Sequence, residues 1–201
     1  NEFLMKAWQS PPTNKRDSVF TLLKLMETYV RLGDSVSART AMNLLSTTDS
    51  LSGSIWSAQS AVVDRFGSAE ERRSFADQLA ARFPNDPIAL GSAGVLYLRL
   101  GDLAKCGLML ARSYQLDSAN ALTALNFGVY LANGGYHDDA VPILKRALDL
   151  NNTSFLAAYY LATSYLAVGD VNNAKAAMLR AEANALRPEE QERIKQLRVQ
   201  F

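Results

Sequence analysis

Apolar residues recur along this chain at spacings of three and four, with almost no β-branched alternation to compete, so the pattern predicts amphipathic helices throughout. The helices come in pairs. Tyr29, Val63, Tyr97, Leu131 and Tyr165 form a column of large apolar residues at intervals of 34, and three residues before each lies a mostly small one: Met26, Ser60, Gly94, Gly128 and Ala162. A large residue beside a small one at helical spacing brings two helices close together. In the second half of each unit Ala38, Cys106, Ala140 and Ala174 make another small column, broken only by Arg72. Met42, Ala76, Leu110, Leu144 and Met178 follow four residues later.

Between the halves lies a turn. The tetrapeptide Arg-Leu-Gly-Asp occurs at 31–34 and again at 99–102, and Gly33, Gly67, Gly101, Gly135 and Gly169 recur every 34 residues. Glycine is expected to end each first helix in a left-handed conformation, and Asp34, Asp102 and Asp170 to cap the second helix.

These residues resemble the tetratricopeptide repeat (TPR) family. Trp56 stands where the family carries its signature tryptophan, and Ala93-Gly94 and Phe127-Gly128 echo its Leu-Gly pair. Tyr29, Tyr97 and Tyr165 match its aromatic, and Pro84 the proline that ends its second helix. The resemblance implies an all-α, right-handed superhelical solenoid of antiparallel helix pairs, with repeats at 19–52, 53–86, 87–120, 121–154 and 155–188. The second departs most, through Gln59, Ser60 and Arg72. Residues 189–201, with Ile194, Leu197 and Phe201 spaced along them after Pro188, read as a helix capping the open apolar end. Residues 1–18 read as an N-terminal helix and linker or the remnant of a preceding repeat, since Phe3, Leu4, Ala7 and Trp8 precede Pro11-Pro12.

Composition narrows the function. Twenty-one basic residues nearly cancel 20 acidic ones and no Lys/Arg run exceeds two, so no nucleic-acid partner is expected. No apolar run is long enough for a spanning helix and no signal peptide is visible; a soluble fragment, cytoplasmic or periplasmic, is expected. The start at Asn1 reads as a processed or excised piece of something longer. Cys106 is the only cysteine, which excludes an intramolecular disulfide or a cysteine zinc cluster.

Candidate chemistry is sparse. Cys106 falls in the small packing column, and His137-Asp138-Asp139 reads as an acidic helix start rather than a metal site. Glu189, Glu190 and Glu192 read as a solvated face. No phosphate- or dinucleotide-binding glycine motif occurs, and Gly91-Ser92-Ala93-Gly94 falls mid-helix. No cofactor and no catalysis are expected.

The resemblance implies instead a concave groove lined by first helices. By register its residues are Ile88, Gly91, Ser92, Val95 and Arg99, then Leu122, Leu125, Asn126, Val129 and Asn133, then Leu156, Tyr159, Tyr160, Thr163 and Leu166. Asn126 matches an asparagine with which many family members hold a ligand's backbone amide, and Tyr159 and Tyr160 would anchor a partner. A competing reading covers these tyrosines with the cap helix. The family's chaperone-carboxylate clamp is not expected, because Leu23, Ser57, Gly91 and Ile88 stand where its lysines would be. Arg31, Arg65 and Arg99 form either a stripe for an acidic partner or ordinary C-terminal helix charges. The expected function is therefore protein or peptide binding by a monomer or weak homo-oligomer, the alternative being a structural, self-associating or connecting module.

Overall fold

A computed structural model describes residues 15–48 and 52–201; the helix expected at Asn1–Gln9 lies outside them. Among the described residues there are eleven helices and no strand: α1 (Lys15–Leu32), α2 (Ser35–Thr48), α3 (Gly53–Phe66), α4 (Ala69–Arg82), α5 (Pro87–Arg99), α6 (Leu103–Leu116), α7 (Ala121–Asn133), α8 (His137–Leu150), α9 (Phe155–Ala167), α10 (Val171–Ala183) and α11 (Pro188–Arg198). Second helices begin at residues 35, 69, 103, 137 and 171, and first helices after α1 begin at 53, 87, 121 and 155. Both series have the 34-residue period.

The period is enforced at the helix ends. Gly33, Gly101, Gly135 and Gly169 have φ between 72° and 83°, as expected. At each, the residue after the glycine donates its N–H to the carbonyl of the large-column residue: Asp34 to Tyr29, Asp102 to Tyr97, Tyr136 to Leu131 and Asp170 to Tyr165, at 2.8–3.0 Å. The glycine N–H bonds the carbonyl three residues back, which completes a Schellman turn. Asp34, Asp102 and Asp170 then accept from the N–H three residues on, capping α2, α6 and α10. A second cap column, unnoticed in the sequence, opens the first helices: Asp86, Asn120 and Ser154, 34 residues apart, accept from N–H groups of α5, α7 and α9.

Gly67 corrects the expectation of five left-handed turns, because it is extended at φ −76°. Its N–H bonds only the Val63 carbonyl. The neighbouring carbonyls of α3 are taken by arginines instead: Arg72 donates from Nε and Nη2 to Asp64, and Arg39 from Nη2 to Phe66. Arg72, which breaks the small column, thus supplies donors that a left-handed turn would otherwise provide. Glycine is still required at 67, since a Cβ there would lie 2.4 Å from the Val63 carbonyl oxygen.

The helices form two compact units, Asn1–Met109 and Leu110–Phe201, divided within α6. In the first, Leu22, Leu25, Met26 and Tyr29 of α1 pack with Ala38, Ala41 and Leu45 of α2 and with Ile55 and Val62 of α3. The unusual Gln59 is buried there but satisfied, donating to the Met42 carbonyl and Ser46 Oγ. Trp56 stacks on Phe75 at 5.2 Å and lies 4.6 Å from the Arg82 guanidinium, joining α3 to the middle and the C-terminal end of α4. In the second unit Ala140, Leu144, Ala147 and Leu148 of α8 meet α7 and α9, and Ala177, Met178 and Ala181 of α10 share the same core. Ile194 and Leu197 of α11 close it, whereas Phe201, expected to help, stands past the helix end and is exposed. Glu190 anchors the start of α11 by accepting from the N–H groups of Leu186 and Arg187 and from the Arg187 guanidinium.

Gly128 lies at a close approach of α7 and α8: a Cβ there would lie 2.7 Å from Leu144 Cγ and Cδ2. Gly128→Leu is expected to destabilise the chain by about 1–3 kcal/mol, measured by urea unfolding. An unchanged midpoint would contradict the small-column packing.

Arg39 holds Glu71 at 2.7 and 2.9 Å, and this pairing keeps the Glu71 carboxyl below its ordinary 4.5. A lowered folded value means that the stabilisation is present above pH 4.5 and is lost as pH falls through the folded value. Both side chains are more than a third exposed, so screening limits the effect to about 1 kcal/mol or less. Glu71→Gln is expected to flatten the acid limb of the stability–pH curve; an unchanged limb would contradict the linkage.

Candidate functional site: the open faces of the first helices

The residues expected to line a groove fall on α5 in the first unit and on α7 and α9 in the second. On α5, Ile88, Ser92 and Val95 are half-buried and Arg99 is exposed. Gly91 is buried, which removes it from the expected lining. Arg99 is engaged with the chain itself, its Nε 3.1 Å from Asp64 Oδ1. The other members of the arginine series are also occupied, Arg31 with Glu27 at 3.4 Å and Arg65 over the Phe66 ring at 5.7 Å.

In the second unit α7 and α9 are neighbours, and each turns one side to the core and leaves another half-open. Leu125 and Val129 of α7 and Leu156, Tyr159 and Tyr160 of α9 pack against the same core while remaining partly exposed. Leu122, one turn before Asn126, is half exposed. Tyr159 stacks on Phe155 at 5.7 Å and meets Tyr160 edge-on at 5.4 Å, so the two tyrosines are held in fixed positions. The Thr163 hydroxyl is spent on the Tyr160 carbonyl.

Asn126 differs from these. It is half-buried, and among the described residues its amide has no hydrogen-bond partner. The helical spacing places it with Leu122 and Val129 on one side of α7. A carboxamide offers two donors and an acceptor, the set that a peptide backbone complements.

The competing expectation, cover of the tyrosines by the cap helix, is met at one of them, through a residue the sequence did not single out. The Arg193 guanidinium of α11 lies 5.8 Å from the Tyr159 ring centroid and covers part of it. Arg193 follows Tyr159 by 34 residues, so α11 occupies the register of a further first helix. That continued period was the available signal. Self-coverage thus applies to Tyr159, whereas Tyr160 makes no such contact among the described residues.

The other candidates for chemistry are ordinary packing groups. Cys106 is buried and its thiol is pushed up to about 11, chiefly by desolvation, which keeps it protonated. His137 Nδ1 faces Ser164 Oγ of α9 at 3.4 Å. Among the described residues no three His, Cys, Asp or Glu side chains are grouped to hold a metal ion, and no helix is long and apolar enough to cross a membrane.

No family model matches the sequence, and no curated protein matches it. Solved structures do. A thermophilic TPR protein of Thermus thermophilus superposes with a TM-score of 0.73 at 20% identity, over 90% of this chain and 99% of that one. Yeast Tom70 superposes with a TM-score of 0.77 at 14% identity, over 99% of this chain, which corresponds to 42% of Tom70. YrrB, described as a TPR protein with an unusual peptide-binding site, gives 0.60 at 15% identity over 96% and 97% of the two chains. At such identities the likeness establishes architecture: the chain has the all-helical fold of tetratricopeptide-repeat proteins.

Proposed function

We propose that this chain is a non-catalytic module that binds a peptide or helix of a partner protein along the open face of α7 and α9. The observation that carries the reading is Asn126, a half-buried amide without a partner among the described residues, set among apolar residues that are themselves only partly covered. Its amide atoms are not buried, so a ligand's backbone can meet them in place of water. Leu125, Val129, Leu156 and Tyr160 supply the apolar surface, and Tyr160 the rigid aromatic anchor that interfaces favour. A peptide-binding site is named in YrrB, which shares the fold, and this supports the class of ligand without fixing its location. In the first unit, Ile88, Ser92 and Val95 of α5 offer a surface of the same kind; Arg99 joins it only after leaving Asp64.

Arg193 gives the alternative its footing, because a face partly covered by the chain's own helix can serve connection or self-association instead. Light scattering over a concentration series separates the two. A monomer that binds its partner supports recruitment, and a dimer that buries Tyr160 supports assembly. With a partner isolated by affinity purification, Tyr160→Ala and Asn126→Ala are each expected to weaken binding by about 1–4 kcal/mol in calorimetry, the range of interface hot spots. Arg31→Ala, on α1, should leave affinity unchanged. Full-strength binding by both α7 and α9 variants, with their folds intact, would sink this surface.

A further inference from the structure

A second opening lies on a different side of α9, where α8, α9 and α10 leave a depression of about 170 Å³. Lys145 and Asp149 of α8, Tyr165 of α9, and Asn173 and Arg180 of α10 border it over an apolar floor that includes Leu161. Lys145, Asp149 and Arg180 make no side-chain ion pair, and the Tyr165 hydroxyl no hydrogen bond, among the described residues.

The repeat supplies its own comparison. Subtracting 68 from Lys145, Tyr165 and Asn173 gives Asp77, Tyr97 and Lys105. There the place is filled by the chain itself: the Tyr97 hydroxyl donates to Asp77 Oδ1, Lys105 Nζ donates to the same oxygen at 3.1 Å, and Lys105 lies 5.0 Å from the Tyr97 ring centroid. These contacts hold the Asp77 carboxyl below its ordinary value, with Tyr97 the larger cause and Lys105 the next. That corner is thus a carboxylate site with a built-in carboxylate. At the later position the tyrosine donor is retained, an asparagine amide replaces the lysine, and the carboxylate is replaced by Lys145, a change of sign.

We propose that the pocket between α8, α9 and α10 binds an acidic side chain of a partner protein, its carboxylate standing in for the one that Asp77 provides at the earlier repeat. Tyr165 and Asn173 offer neutral donors and Lys145 and Arg180 the charge. Asn173 already donates one N–H to Asp170 Oδ2, at 2.6 Å, which orients its amide. Asp149 on the rim and Asp170 behind the Asn173 amide oppose an incoming carboxylate, but Lys145 and Arg180 border the depression itself, where Asp149 is the one anion among its lining residues. The site uses other residues than the proposed peptide face, so either can fail without the other.

The test is a nuclear magnetic resonance titration of the whole chain with an acetylated and amidated hexaglutamate, which carries side-chain carboxylates alone. Saturable shifts are expected at the Asn173 amide and the Tyr165 ring. Lys145→Asp, which restores a carboxylate of the chain's own, is expected to weaken binding at least about tenfold, as loss of a charge-assisted contact does, with the melting temperature unchanged or raised. Lys145→Ala should weaken it less. Lys175→Asp makes the same charge change on α10 outside the pocket and should leave the affinity as it was. No saturable shift in the natural chain would overturn the proposal, as would equal losses for the changes at Lys145 and Lys175, which mark general charge attraction.

Discussion

Everything in the repeat depends on where the chain reverses between its two helices, and the bond that sets this runs to the carbonyl of the large-column residue. Tyr29, Tyr97, Leu131 and Tyr165 each present a buried or half-buried side chain to the helix contact and a backbone oxygen to the N–H after the glycine. One residue therefore fixes both the packing and the turn. Because the glycine adopts a left-handed conformation that other residues enter only at a cost of about 1–2 kcal/mol, the reversal cannot drift along the sequence. The second helix starts a fixed distance on, and the small residue three positions before the large one meets it in register.

The second repeat shows that the constraint concerns carbonyls rather than glycine torsion. At Gly67 the left-handed turn is gone, yet the last oxygens of α3 are still satisfied, by Arg39 and Arg72. The residues that look irregular in sequence, Gln59, Ser60 and Arg72, all turn out to donate to backbone oxygens. Buried donors without acceptors would cost more than the apolar residues they replace, and each of the three has its own backbone acceptor: Met42, Ser57 and Asp64. Arg39 ties α2 to Glu71 at the start of α4, and the pairing lowers the Glu71 carboxyl, so this contact weakens in acid.

The fold was legible in the sequence because each column reports a local requirement: a turn needs glycine, a cap needs an oxygen, a close crossing needs a missing side chain. The open faces were legible only by register. Asn126, Leu125 and Tyr160 could be assigned to one side of their helices from spacing alone. That Arg193 would lie over Tyr159, or that Arg99 would turn to Asp64, depends on side chains from elements 34 or 35 residues away. The 34-residue spacing of Arg193 from Tyr159 marks the register of α11, but neither pair can be read from the spacing within one helix. At Gly67 the torsion could not be read from the glycine alone, because the Asp64 carbonyl that its N–H would take in a left-handed turn accepts from the Arg72 guanidinium instead.

A repeat built in this way can acquire a binding site by losing a partner rather than by gaining one. Where Tyr97 meets Asp77, donor and acceptor satisfy each other and the corner is closed. Where Tyr165 and Lys145 border the same depression, the donor remains and the acceptor is gone, yet the backbone is unaffected, since the Tyr165 carbonyl still receives its bond from Asp170. The turn bond and the side-chain contact are separable, so exchanging a side chain at the Asp77 register changes what the surface can hold without disturbing the period. Asn126 follows the same logic on another side of the second unit: Gly128, two residues on, is committed to the crossing with Leu144, while the amide is committed to nothing in the fold. Positions bound to the period build the scaffold, and the polar groups left over beside them are the ones free to recognise another molecule.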